Sequence, residues 1–243
     1  MTTPRFYCPM PLAADKTIEL PETAAHHAVR VLRLRIGDGI CVFNGLGGEY
    51  VGEIAAAVSG RVEVQLQSFR DIDRESPLAV ILVQAISGGD RMEITLQKAV
   101  ELGVAGVVPV ISHRSVMRLS GERAERRVQR WQQIAVAACE QCGRNRIPQV
   151  YPIATLADWL GKNEHGLIRW MLSPHAGHSL RALAKPMQAM QLLVGPEGGL
   201  TEEEERAATE HGFAGVRLGP RTLRTETAAP AILAAMQGLW GDF

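Results

Sequence analysis

Two hydrophobic rhythms divide the chain. Up to about residue 70 the apolar positions form short β-like runs. Ile40-Cys41-Val42-Phe43 leads into the turn signal Asn44-Gly45-Leu46-Gly47-Gly48, and Tyr50 to Ala55 follows, which predicts a hairpin. Val62 to Phe69 alternates. Val62, Val64 and Leu66 share one side and Glu63, Gln65 and Gln67 the other, as in a half-buried strand. Pro21 to Leu34 reads as a short helix. Residues 70–77 (Arg-Asp-Ile-Asp-Arg-Glu-Ser-Pro) are polar and end in proline, so they predict a linker between domains at 1–72 and 73–243.

Beyond the linker the rhythm changes. Leu78 to Ile86 is nearly all aliphatic, and Asp90 to Leu102 then has helical spacing at Met92, Leu96, Ala99 and Val100. Val104 to Val110 is β-like, and Arg123 to Cys142 is a long helix candidate. Strand candidates follow at Pro148 to Tyr151, Leu167 to Leu172, Gln191 to Val194 and Gly215 to Leu218, with helical segments between and after them. Alternating helices and fully apolar strands predict an α/β fold with a parallel sheet covered on both faces.

Composition narrows this picture. The 243 residues suffice for one large domain or two modest ones. Lys plus Arg and Asp plus Glu are both 26, so a nucleic-acid site must be a local patch. No apolar run approaches the roughly 18–20 residues needed to cross a bilayer. The N-terminus lacks the layout of a signal peptide. The chain is therefore read as cytoplasmic, without a membrane partner, and Cys8, Cys41, Cys139 and Cys142 as free thiols.

Two strand-to-helix loops carry the chemistry. Gly195-Pro196-Glu197-Gly198-Gly199-Leu200 follows the Gln191–Val194 strand, and Thr201 with Glu204 forms a capping box for the next helix. Ligands in open α/β sheets bind at the carboxyl ends of strands, where glycine lets backbone approach closely. The spacing is neither a dinucleotide fingerprint nor a P-loop. Glu202 to Glu205 favour the helix dipole but repel a phosphate, so the loop suits an uncharged or cationic group. The same spacing also fits a plain tight turn with a good cap. The second loop, Leu218-Gly219-Pro220-Arg221-Thr222-Leu223-Arg224-Thr225-Glu226, precedes a helix from about Glu226 to Trp240. The two loops are expected side by side at one edge of the sheet. Arg224 and Glu226 form an unusual polar pair there, readable as a salt bridge.

LVGPEGGLTEEE (193–204) and LGPRTLRTETAA (218–229) together resemble the RsmE family of the SPOUT class, the bacterial 16S rRNA (uracil-N3)-methyltransferases. RVLRLRIGDGICVFNGLGGEY (30–50) resembles that family's N-terminal PUA-like domain, and QKAVELGV (97–104) and AACEQCGRNRIPQV (137–150) its central motifs. The resemblance implies a SPOUT-type parallel sheet with a C-terminal trefoil knot, preceded by a small β-barrel PUA-like domain. It further implies S-adenosyl-L-methionine as cofactor, 16S rRNA within the small ribosomal subunit as substrate, and a homodimer whose last helix helps form the interface.

In such a chain the cofactor contacts should be mostly backbone and apolar, at Leu172, Ser173, Gly195, Pro196, Gly198, Leu218, Gly219, Leu223 and Ala228. Uracil N3 is protonated at neutral pH, so a group must take or stabilise that proton. Glu197 and Glu226 are candidate bases by location. Arg224 is favoured as the catalytic residue on the substrate side, with Glu226 as its orienter. RNA contacts are expected at Arg5, Arg30 and Arg33 in the N-terminal domain and at Arg114, Arg144 and Arg146. Residues 112–146 carry eight arginines against three glutamates. Arg123, Arg126, Arg127 and Arg130 read as a solvated helix face instead. Cys139-Glu140-Gln141-Cys142 lies near a helix end, where thiolates are not stabilised, and lacks further ligands, so no metal site is expected. Two other functions stay open: a non-catalytic RNA-binding protein, and a SPOUT enzyme acting on tRNA or on a ribose 2′-oxygen.

Overall fold

The computed structural model describes residues 3–117, 119–162 and 166–243. The backbone packs into two compact units, Met1–Glu75 with Cys139–Ile147, and Ser76–Ala138 with Pro148–Phe243. The break falls after Glu75, within the polar linker segment. Residues 139–147, placed by the sequence pattern with the second domain, belong to the first unit. The bonds that hold them there are long-range. The backbone N–H of Tyr7 donates to Glu140 Oε1 at 2.9 Å, and Arg5 Nη2 donates to Asn145 Oδ1 at 2.6 Å.

The first unit contains β1 (Arg5–Tyr7), β2 (Thr17–Glu19), α1 (Glu22–His26), β3 (Gly39–Phe43), β4 (Glu49–Val58) and β5 (Arg61–Arg70), with a π-helical turn at His27–Val31 after α1. Its sheet runs β1-β3-β4-β5-β2. The predicted hairpin is the antiparallel pair β3–β4. Among the described residues no ladder joins β1 to β2, so the expected barrel is hydrogen-bonded as an open five-stranded sheet. The alternation in β5 has its predicted meaning: Val62, Val64 and Leu66 are fully buried. They form a core with Phe6, Ile40, Val42, Ile54 and the small residues Ala24, Ala25 and Ala28 of the helical segment.

The second unit contains β6 (Val80–Ala85), α2 (Arg91–Glu101), β7 (Gly106–Ile111), α3 (Gly121–Cys142), β8 (Gln149–Val150), β9 (Ala154–Thr155), α4 (Leu156–Leu160), β10 (Ile168–Leu172), β11 (His178–Ser179), β12 (Met190–Val194), α5 (Glu202–Glu210), β13 (Ala214–Arg217) and α6 (Thr225–Trp240). The end of α3 extends into the first unit's residues. The sheet order is β11-β13-β10-β12-β6-β7-β8, with β9 on β7, and every pairing is parallel. One face buries Val83, Val108, Met171 and Leu193 against Leu156 and Leu160 of α4 and Ala208 of α5. α2 and α6 pack on each other, and α6 on β12, so helices also cover the alternate positions. Gln237 on α6 donates to the Leu102 carbonyl at 2.8 Å and to Ser76 Oγ at 2.7 Å, fixing the last helix to the end of α2.

β10 lies between β12 and β13. The two motif loops are therefore not immediate neighbours. The loop after β10 lies in the same region, with Ser173, Pro174 and His175 facing the space that both motif loops border.

Candidate active site

The carboxyl ends of β10, β12 and β13 open into a cleft of 350 Å³. All nine residues expected to contact a cofactor line it: Leu172, Ser173, Gly195, Pro196, Gly198, Leu218, Gly219, Leu223 and Ala228. β12 is buried along its whole length, which leaves its last carbonyls and the following loop as the strand's only accessible polar end. The loop closes with a turn in which Gly199 N donates to the Pro196 carbonyl at 2.9 Å, with Gly199 at φ +69°. A side chain at its start would be crowded, because a Cβ on Gly195 would stand 3.1 Å from the Leu200 backbone nitrogen.

The capping box of α5 is formed as predicted. Thr201 Oγ1 accepts from Glu204 N at 3.2 Å, and Glu204 Oε2 accepts from Thr201 N at 2.9 Å. Glu204 also accepts from His113 N at 2.7 Å, which draws the loop after β7 towards the cleft. Hydrogen bonds from its own backbone amide and from Thr201 hold the Glu203 carboxyl below the usual carboxylate range. That is what a helix N-terminus does for an anion already in place, so a ligand phosphate would compete with it.

A buried polar relay joins the loops. The Thr225 hydroxyl donates to the Gly195 carbonyl at 2.8 Å and accepts from Gln84 Nε2 at 3.1 Å. Neither Gln84 nor Thr225 stood out in the sequence, because they lie 141 residues apart and Thr225 lies 30 residues from Gly195. Arg114 was expected on an RNA surface. It is exposed, and its guanidinium also donates to the Gly198 carbonyl at 2.7 Å, so the residue lines the cleft with Arg217, Arg221 and Glu205. In a parallel sheet the loop after β7 emerges on the same side as the motif loops, and that topology is the signal that places Arg114.

The expected catalytic pair is arranged differently. Arg224 is the N-cap residue of α6, extended at φ −65° and ψ 152°, with an exposed side chain. Among the described residues no ion pair or hydrogen bond joins it to Glu226. Positions two apart at a helix start point in different directions, so the predicted salt bridge has no geometry to form. Glu226 faces Arg91 at the start of α2, with 3.7 Å from Arg91 Nε to Glu226 Oε1. Neither Arg224 nor Glu226 lines the cleft itself. Glu197 does line the cleft, and its carboxylate accepts from Gly88 N at 2.8 Å and Arg91 Nη1 at 3.2 Å.

The other arginines fall into two groups. Arg30, Arg33 and Arg146 are exposed. Arg5 and Arg144 are not surface cations. Arg5 is ion-paired to Glu49, lies over the Phe43 ring at 5.0 Å, and bonds to the carbonyls of Gly143 and Arg144. Arg144 is buried and paired to Glu75. On α3, Arg126 pairs with Glu122, and Arg127 and Arg130 pair with Glu93 of α2, a solvated and internally neutralised face. The Cys139 thiol is pushed up to about 12 by burial, the opposite of a redox-active thiolate.

An RNA methyltransferase domain matches residues 74–237, and an RNA methyltransferase PUA domain matches residues 20–67. The chain belongs to the RNA methyltransferase family. Within this family it is 31% identical to ribosomal RNA small subunit methyltransferase E of Buchnera aphidicola, over 99% of this chain and 95% of the relative. It is 30% identical to the Bacillus subtilis protein of the same name, over 90% and 89%. The structure of ribosomal RNA small subunit methyltransferase E from Neisseria gonorrhoeae bound to S-adenosyl methionine superposes with a TM-score of 0.93 at 43% identity, covering all of both chains. A Legionella pneumophila methyltransferase in complex with SAM superposes at 0.96 and 37% identity, also covering all of both chains.

Proposed function

We propose that this RNA methyltransferase is S-adenosylmethionine-dependent and acts in the cytoplasm on N3 of one uridine in the 16S rRNA of the small ribosomal subunit. The observation that carries the reading is the cleft at the ends of β10, β12 and β13, whose lining coincides with the residues expected to hold that cofactor.

The cleft fits the group. Its 350 Å³ lies within the range of small-molecule sites, roughly 300–1,000 Å³. Gly195 leaves little room for a side chain, its Cβ position lying 3.1 Å from the Leu200 backbone nitrogen. The lining carries both signs, with Glu205 for an ammonium and Arg114, Arg217 and Arg221 for a carboxylate, which suits an amino-acid end. Loop backbone and apolar Leu172, Leu218 and Leu223 would hold the remainder. The bound cofactor supplies a methyl group on a sulfonium.

The chain's own residues then bind and orient the uracil and manage its N3 proton. Exposed Arg224, which has no ion pair among the described residues, stands on the substrate side, where a guanidinium can stabilise charge developing on a uracil oxygen. Glu226 takes the proton.

Three parts of the reading extend beyond the site. The second unit is a trefoil-knotted SPOUT domain, supported by the two motif loops flanking β10 and bonded through Thr225. The first unit is a PUA-like RNA-binding domain. The protein is a homodimer, supported by a 540 Å³ groove in which Leu218, Ala235 and the half-exposed Leu239 of α6 leave apolar surface uncovered.

The decisive experiment is mass-spectrometric mapping of the nucleoside modified after incubation with unmethylated small subunits. A 3-methyluridine in 16S rRNA is expected. A 2′-O-methyl product, or a methylated tRNA, would overturn the assignment.

A further inference from the structure

We propose that Arg91 is a positioning residue for the reaction: it holds Glu226 for proton transfer and, through Glu197, braces the cofactor loop. The inference rests on the methyltransferase reading above. Arg91 opens α2, on neither motif loop, and nothing in the local sequence marks it.

Its guanidinium reaches both motif loops at once. Arg91 Nη1 donates to Glu197 Oε1 at 3.2 Å, and Arg91 Nε stands 3.7 Å from Glu226 Oε1. The Glu197 oxygen is also held by Gly88 N at 2.8 Å, so the turn before α2 grips the first loop at two points. Without the cation, two carboxylates would face each other across the loops and repel.

Glu226 itself accepts no hydrogen bond among the described residues, and its Oε2 is buried without a partner. Leaving a buried carboxylate oxygen without a donor is costly, and folded proteins seldom keep one without a use. A proton acceptor is such a use. The N3–H bond breaks, the proton passes to a Glu226 oxygen, and the freed nitrogen pair forms the bond to the methyl carbon. The carbon–sulfur pair stays on sulfur, which leaves as a neutral thioether. Arg91 does not touch the reactants in this scheme. It holds the Glu226 carboxylate in place by a 3.7 Å contact at Oε1 that leaves Oε2 without a donor.

Arg91 is 44% exposed, and exposed ion pairs contribute little to stability. A merely structural role would therefore leave turnover almost untouched. The test compares Arg91→Met, Arg91→Lys, Glu197→Gln, Glu226→Gln and the doubles Arg91→Met/Glu226→Gln and Arg91→Met/Glu197→Gln, with melting curves to confirm folding. Arg91→Met should lower kcat by about a hundredfold while changing KM for the subunit by less than about threefold, and Arg91→Lys should recover part of the loss. The double with Glu226→Gln should be no slower than the slower single, because both act through one group.

Calorimetry with adenosylmethionine gives a readout independent of turnover. Arg91→Met and Glu197→Gln should each weaken binding by roughly three- to tenfold, and their double by no more than either. Losses that multiply in the doubles, or an Arg91→Met enzyme with unchanged kcat and affinity, would overturn the role. If the wild-type protein binds the cofactor but methylates no uridine N3, the functional reading fails, while the Arg91–Glu197 cycle still decides the brace.

Discussion

The hydroxyl of Thr225 donates to the carbonyl of Gly195 at 2.8 Å, so the last helix begins by closing a bond on the first motif loop. Gln84, fully buried on β6, donates to the same hydroxyl at 3.1 Å. Thr225→Val keeps the shape but removes one acceptor of the Gln84 amide, which keeps its bond to the Ala85 carbonyl at 3.0 Å, and loses the bond to the Gly195 carbonyl. Leaving buried polar groups unmade costs about 1–3 kcal/mol, so urea unfolding should show a loss of that size. Cofactor affinity should fall with it, and Thr225→Ser should restore both. A valine variant as stable and as tightly binding as wild type would show that the relay does not shape the loop.

The glycines of the first loop should not be equivalent. A methyl on Gly195 meets backbone at 3.1 Å and cannot be accommodated by a rotamer change, whereas a methyl on Gly198 meets the Arg114 side chain at 3.2 Å, which can move. Gly195→Ala should therefore weaken adenosylmethionine binding at least about tenfold, or roughly 1.4 kcal/mol. Gly198→Ala should cost clearly less. Gly199→Ala should lower stability by about 1 kcal/mol instead, because φ +69° is a left-handed conformation. Calorimetry and unfolding curves on the three variants separate these effects.

The relation between local pattern and site explains what the sequence revealed. The strands and the capping box at Thr201 and Glu204 follow from periodicity and loop chemistry, which are local, and the nine cleft residues from the family resemblance that the motifs carry. Residues that act through partners far along the chain stayed hidden. Arg5 and Arg144 look like surface cations until Glu49 and Glu75 are brought against them by the fold. Arg91 looks like an ordinary first-turn residue until α2 is set beside both loops. Residues 139–142 end a helix by pattern, and only the bonds of this segment to Arg5 and Tyr7 assign 139–147 to the first unit.

Two buried carboxylates in the first unit should give opposite pH signatures. Burial alone would raise Glu49, but hydrogen bonds from Arg5 and Asn145 and the charges of Arg5 and Arg74 hold it below its ordinary value of 4.5. A lowered folded pKa means its contribution is complete above 4.5 and is lost as the pH falls through the folded value. Glu140 is raised by burial, against the opposing hydrogen bond from the Tyr7 amide. The folded state then binds the proton more tightly, so stability falls as the pH rises from 4.5 through the raised value, and at neutral pH Glu140 is a cost. Glu49→Gln should destabilise the protein by roughly 3–5 kcal/mol at pH 7, because it leaves buried cations uncompensated. Glu140→Gln keeps the acceptor for Tyr7 and should be neutral or stabilising at pH 7, with its advantage fading towards pH 4. Unfolding measured across this range checks both slopes.

The same distinction between paired and free arginines predicts which cations meet RNA. Arg30 and Arg33 are exposed on the segment after α1, and among the described residues no ion pair involves either. Val31, Leu32 and Ile36 are exposed between and beside them, which suits contact with unpaired bases as well as phosphates. Arg30→Glu and Arg33→Glu should each lower affinity for 16S rRNA and reduce the slope of log affinity against log salt by roughly 0.7–0.9 per lost phosphate contact. Their melting temperatures should stay close to wild type. Arg5→Glu should do the reverse: it places a carboxylate against Glu49 and should unfold the first unit, whatever the salt. If Arg30 and Arg33 variants bind with unchanged affinity and slope, the RNA path lies elsewhere on the first unit, and exposed Arg146 becomes the next residue to reverse.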